Sequence, residues 1–229
     1  EALGVMAIEN TIAGSIIPNY ALIDTNNLHI IGEKYLNIHH HLMALKGQSI
    51  NDIKEVWSHP MALLQCKEFF KKHPHIKLVE DVDTAEVAKR ISKQNLVGIA
   101  AIAPKIAADI FNLVIIEDDI QTVKENATRF VIVQTKLPTN GIDQINKASL
   151  KFQLDHKRGS LAAILNMLSD CKMSLTKIQS LPVIETPWKY SFFVDVTFEE
   201  YQDYEKAVKI IEIMAEEFKI LGTYKNGRK

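Results

Sequence analysis

The chain reads as an α/β protein in two parts, and three features predict this. Short apolar strands alternate with helical patterns over residues 3–134, residues 135–147 lack a sustained apolar period, and a βαββαβ order follows. Strands of the first part are expected at residues 4–8, 28–45 with breaks, 55–57, 77–80, 97–102, 113–117 and 129–134. Several are continuous apolar runs, the pattern of parallel strands covered on both faces, so this part is expected to be doubly wound.

Helix starts are marked between the strands. Pro18 and Pro60 each suit a first helical turn, whose N–H groups have no partner, with Ser58 or His59 capping the second helix. Asp83 and Glu86 have capping-box spacing ahead of Val87 and Ile91, and Pro104 opens a fourth helix. Pro138 and the turn pair Asn140-Gly141 put the domain boundary in 135–147, giving domains over 1–136 and 147–229. In the second domain Leu150, Phe152 and Leu154 alternate on a first strand. Residues 161–168 are helical, 174–184 and 189–197 flank a turn at Glu185-Thr186-Pro187, 201–217 is amphipathic, and 219–224 is a last strand. That is a ferredoxin-like order.

Composition narrows the function classes. The 229 residues carry a net charge of −1 with 24% charged, which leaves no basic face for nucleic acid. No run of about 18 apolar residues suggests a membrane span. Cys66 and Cys171 are far apart inside apolar helical patterns and read as reduced core residues of a cytoplasmic protein. His39, His40 and His41 fall along a strand, where neighbours point to opposite faces, and no paired Cys or Asp stands at ligand spacing, so no metal is expected. The chain opens on Glu1-Ala2-Leu3-Gly4-Val5 without a methionine, as if inside a domain.

The chemistry concentrates in Asn126-Ala127-Thr128-Arg129-Phe130, where an amide, a hydroxyl and a guanidinium stand at the lip of the buried run Phe130-Val131-Ile132-Val133. Before it come Gly4 to Thr11, Gly32-Glu33, Ser58-His59-Pro60 with Gln65-Cys66, and Asp83-Thr84-Ala85. After it come Gly159-Ser160-Leu161, Thr176 to Pro182, and Pro187-Trp188. In this order the motifs resemble a prephenate dehydratase followed by its ACT regulatory domain, over nearly the whole chain.

The resemblance implies a two-lobed, periplasmic-binding-protein-like catalytic domain, lacking here an opening βα stretch. It implies loss of water and carbon dioxide from prephenate to give phenylpyruvate on the route to phenylalanine, without cofactor or metal. A fragment truly starting at Glu1 is expected to be inactive and to aggregate. Thr128 is the implied catalytic residue, donating a hydrogen bond to the departing hydroxyl. Asn10, Thr11, Ser58, His59, Gln65, Thr84, Ala85, Asn126, Arg129 and Phe130 are the implied substrate contacts. Arg129 is left between a carboxylate partner and solvent, His59 between general acid and helix cap, Gln65 between site and helix surface, and Glu9 between a base and a loop anchor. Gly159, Ser160, Leu161, Gln179, Ser180 and Pro182 are the implied phenylalanine site of a homodimer or dimer of dimers. Three departures from the family pattern stand out: Ala13 for a polar residue, Asp83 for serine, and Gln179 and Leu181 in the usual Glu-Ser-Arg-Pro. Arogenate dehydratase is the nearest alternative, and a non-enzymatic amino-acid sensor the alternative from another class.

Overall fold

The computed structural model describes residues 2–136, 144–155, 157–184 and 186–228. They form an α/β structure of two compact units that do not follow the order of the chain. One unit joins Glu1–Leu36 to Thr128–Lys229, and the other is Asn37–Ala127. Most of the stretch at 135–147, and Glu185 of the expected turn, lie outside the described residues.

The inserted unit is a five-stranded sheet built from β4 (His41–Ala44), β5 (Glu55–Ser58), β6 (Lys77–Glu80), β7 (Ile99–Ala103) and β8 (Val114–Glu117), in the order β6-β5-β7-β4-β8. Neighbouring residues on a strand face opposite ways, and both faces are apolar. Leu42, Val56 and Ile102 pack on Cys66 and Phe70 of α2 (Pro60–Gln65) and α3 (Lys67–Phe70) with their connection, while Met43 and Ala101 pack on Val87 and Ile91 of α4 (Thr84–Gln94) and Ala107 of α5 (Lys105–Phe111). β5 is parallel to β6 and β7, as the apolar runs predict. β4 corrects that expectation, because it runs antiparallel to both β7 and β8. Helix α5 returns the chain parallel from β7 to β8, and β4 inserts between them in the opposite sense; an apolar run records burial, not direction.

The other unit holds two four-stranded sheets. The first, in the order β2-β1-β9-β3, contains β1 (Gly4–Asn10), β2 (Gly14–Ser15), β3 (His29–Asn37) and β9 (Ala127–Gln134), with α1 (Ile17–Thr25). The broken strand expected over 28–45 is thus two strands in different sheets. The second sheet has the order β11-β12-β10-β13, from β10 (Lys147–Gln153), β11 (Ser174–Pro182), β12 (Tyr190–Thr197) and β13 (Glu217–Tyr224), with α6 (Ser160–Asp170) and α7 (Tyr201–Met214). Its pairings are all antiparallel, and the element order is βαββαβ.

Every residue of β10 is buried. Ala148, Leu150 and Phe152 face Ile164, Leu168 and Ile211 of the two helices. The polar alternates are buried too: Lys151 pairs with Asp24 at 2.7 Å and Glu217 at 2.9 Å. The two sheets share an apolar seam of Ile8, Tyr20, Val131, Phe193 and Leu221, with Tyr20 edge-on to Phe193. At Gly222 a Cβ atom would collide with the Ile30 carbonyl, so only glycine lets β13 approach β3 this closely.

Candidate active site

Thr128 stands opposite Asn10 where β9 pairs with β1. Asn10 Oδ1 accepts the backbone N–H groups of Ile12 at 2.9 Å and Ala13 at 2.8 Å, an Asx turn that fixes which way the amide points. Its Nδ2 therefore donates to Thr128 Oγ1, at 3.0 Å. A hydroxyl that accepts here keeps its own proton for another acceptor, and the bond it accepts makes it a better donor. Ala13, one of the departures from the family pattern, serves this turn through its backbone N–H, which any side chain permits. Thr11 is exposed and Phe130 half-buried.

Of the two alternatives left by the sequence, Arg129 takes the carboxylate partner and not solvent, and the carboxylates are the protein's own. It is 3% exposed, and its guanidinium is held by groups of the protein. Nε donates to Glu33 Oε2 at 2.6 Å, Nη1 to Asp195 Oδ2, and Nη2 to the Tyr224 hydroxyl at 2.9 Å. Lys147 Nζ completes the cluster, at 3.0 and 2.9 Å from the two Glu33 oxygens. Burial works against the charge of Arg129, but Asp195, Tyr224 and Glu33 outweigh it and raise its pKa. Burial, followed by the positive Arg129, pulls the Lys147 ammonium below its usual value. Arg129 is removed from the expected substrate contacts, since each face of its fork already has an anion or hydroxyl. Glu9 likewise is no free base: Lys177 of β11 holds its carboxylate.

In the other unit Ser58 is fully buried and donates to the Ile102 carbonyl at 2.9 Å, which corrects its expected role as a cap or ligand. A side chain inside a sheet has to satisfy its hydroxyl locally. His59 is the cap: its Nδ1 accepts from Met61 N at 3.2 Å. Asp83 caps α4 by accepting from Glu86 N at 2.8 Å, so it does what the family's serine can do at that position. Thr84 and Ala85 form the first turn behind it.

Gln65 is more than a helix surface residue. Its Oε1 lies 2.7 Å from His40 Nε2 and accepts from Asn126 Nδ2 at 3.1 Å, joining three segments on one atom. A Gln oxygen must be the acceptor from His40, so Nε2 carries a proton. Burial lowers the pKa of His40 below its ordinary 6.5. The unfolded chain therefore binds more protons as pH falls through about 6.5, and stability is lost on that side. His40→Gln is expected to reduce the loss of urea midpoint between pH 7 and pH 5; an unchanged loss would contradict this placement. His39 and His41 hydrogen-bond Asp119 at 2.7 Å and Asp118 at 3.0 Å, partners that sequence spacing did not show. Among the described residues no three His, Cys, Asp or Glu side chains are placed to hold a metal.

A groove of about 760 Å³ opens beside the start of α6. Ser160 and Leu161 line it, together with Asp155, Arg158, Trp188 and Glu216, of which sequence reading had singled out Trp188 alone. Gly159 caps the helix at φ 89°, a left-handed conformation that suits glycine. Gln179, Ser180 and Pro182 of β11 do not line this groove: Gln179 Nε2 turns back to the Ser180 carbonyl at 2.9 Å, and Ser180 and Pro182 are exposed.

The family model described as prephenate dehydratase matches residues 1–137. The chain belongs to the prephenate dehydratase family. Within that family it is 35% identical over 230 residues to arogenate dehydratase/prephenate dehydratase 2, chloroplastic, of Arabidopsis thaliana, covering 96% of this chain and 60% of the plant protein. It is 34% identical over 226 residues to prephenate dehydratase of Methanocaldococcus jannaschii, covering 97% of this chain and 80% of the other. The chain thus spans less than two thirds of the plant relative's length and four fifths of the archaeal one's. Among solved structures, the prephenate dehydratase of Staphylococcus aureus superposes with a TM-score of 0.84 at 25% identity, over 97% of this chain and 82% of that one. Two others share the fold at 24% identity. One is described as a novel type of quorum quenching acylase, with a TM-score of 0.87 over 97% of this chain and 81% of that one. The other is the Arthrobacter aurescens prephenate dehydratase in complex with L-Phe, with a TM-score of 0.84 over 98% and 75%.

Proposed function

We propose that this protein is a prephenate dehydratase, converting prephenate to phenylpyruvate, carbon dioxide and water. The reading is carried by the Thr128 hydroxyl, held by Asn10 with its proton directed elsewhere. In this reaction the bond to the ring carboxylate breaks and its electron pair enters the ring. The C–O bond across the ring then breaks with its pair, and one proton turns the departing oxygen into water. Charge develops on that oxygen only in the transition state, where a preplaced neutral donor is most effective. Aromatisation drives the step, and no electrons are exchanged with a redox partner. Thr11, His59, Gln65, Thr84, Ala85, Asn126 and Phe130 are retained as substrate contacts on the family resemblance, with Gln65 and Asn126 already ordered by hydrogen bonds.

Arogenate is the second reading, supported by the plant relative at 35% identity whose name carries both activities. It differs in bearing an amine in place of the side-chain keto group. Comparing kcat/KM for the two substrates decides between them: a ratio above about 10 for prephenate, corresponding to ~1.4 kcal/mol, supports the first reading and the inverse ratio the second.

The C-terminal βαββαβ module is proposed to be an ACT domain that senses phenylalanine as a homodimer or dimer of dimers. The groove beside Gly159 offers the aromatic Trp188, the apolar Leu161 and charges of both signs in Asp155, Arg158 and Glu216, which suit a zwitterion with an aromatic side chain. Calorimetry is expected to show saturable binding of phenylalanine, weakened about tenfold or more in Trp188→Ala by loss of one aromatic contact. Equal affinity in that variant would remove the groove from consideration. A scattering mass of at least twice that of the chain is expected. The free thiols of Cys66 and Cys171 fit a proposed cytoplasmic setting. No described helix is long and apolar enough to cross a membrane.

A further inference from the structure

We infer that Arg129 and Lys177 are positioning residues through which the C-terminal sheet aims the Thr128–Asn10 pair; this rests on reading Thr128 as the catalytic residue. Thr128 and Arg129 are consecutive on β9, so their side chains leave opposite faces of the strand, and the torsions that orient one orient the other. The same holds on β1 for Asn10 and Glu9, which stand across from Thr128 and Arg129. Each of the two strands that bring the amide to the hydroxyl is tied, one residue away, to a strand of the second sheet. Arg129 binds Asp195 of β12, and Glu9 binds Lys177 of β11. β11 and β12 are themselves paired, with Lys177 opposite Asp195.

The Arg129 tie is rigid because its hydrogen bonds leave little choice. The Tyr224 hydroxyl accepts from Arg129, so its own proton goes to Ser149, 2.6 Å away, and the Ser149 proton goes to Asp195. Burial, followed by the Asp195 charge, keeps Tyr224 protonated. Three fork nitrogens thus end on three strands, β3, β12 and β13. A fixed anchor of this kind matters for a transition-state donor, because a displacement of about 1 Å can cost ~100-fold in rate. None of Asp195, Lys177, Tyr224 and Ser149 is among the residues expected to touch substrate.

The test uses the full-length protein and steady-state kinetics with prephenate. Asp195→Asn and Lys177→Met are each expected to lower kcat about tenfold or more with KM changed less than about twofold, since a misaimed donor weakens transition-state stabilisation and leaves ground-state binding. Lys177→Arg should restore most of the rate. A merely structural role would instead lower the melting temperature and leave kcat of the folded fraction alone. If Asp195→Asn does not fold, Lys177→Met decides, because Glu9 retains access to water. A folded Lys177→Met with parental kcat, or with a raised KM and parental kcat, overturns the inference when Thr128→Ala is inactive. If Thr128→Ala is fully active, it is the catalytic reading that has failed.

Discussion

Replacing Thr128 with alanine is expected to lower kcat by about 100-fold or more while KM stays within a few-fold, the pattern left when one oxyanion-type donor is lost. The size follows from where the hydroxyl acts. Asn10 donates to Oγ1 at 3.0 Å, so the deleted group is a polarised donor preplaced by an Asx turn. Alanine leaves the strand register Asn10 opposite Thr128 and the Arg129 cluster on the other face of β9 untouched. Thr128→Ser should keep more activity, because the hydroxyl survives although its stiff β-branched rotamer does not. A Thr128→Ala enzyme with near-parental kcat would move the chemistry to another residue.

The largest stability effect is expected at Glu33. Its side chain is fully buried, and its carboxylate receives Arg129, Lys147 and the Gly227 N–H. Glu33→Gln keeps the shape but leaves two buried cations with Asp195 as their one remaining carboxylate in the cluster. Breaking a buried ion pair from one side costs about 3–5 kcal/mol, because the stranded charge stays desolvated. A urea unfolding curve should show that loss at neutral pH, and a change under about 1 kcal/mol would mean that water or backbone takes over the role of the carboxylate.

Much of this architecture is legible in the sequence because it is local. The Asp83–Glu86 spacing announces the cap that the structure shows at 2.8 Å, Pro60 marks the start of α2, and the apolar run of β9 marks its strand. What was missed is set by partners far along the chain. Arg129 is ambiguous on its own, since Glu33 and Asp195 lie 96 and 66 residues from it and nothing in the local pattern points to either. Ser58 is expected to cap the helix that Pro60 opens, or to bind ligand on the family resemblance, yet the sheet buries it and its hydroxyl donates to the Ile102 carbonyl, 44 residues away. The His39 and His41 rings find Asp119 and Asp118 only because β4 lies beside β8, a pairing whose antiparallel sense apolar runs do not encode. The groove beside Gly159 draws on residues near 155–161, 186–192 and 216, so no single motif announces it.

The central claim is a reaction, and product stoichiometry tests it most directly. Full-length protein incubated with prephenate at neutral pH should release carbon dioxide and phenylpyruvate in equal amounts, at a rate proportional to enzyme and nearly abolished in Thr128→Ala. Prephenate consumed no faster than in buffer, or carbon dioxide released equally fast by the parent and Thr128→Ala, would contradict the account.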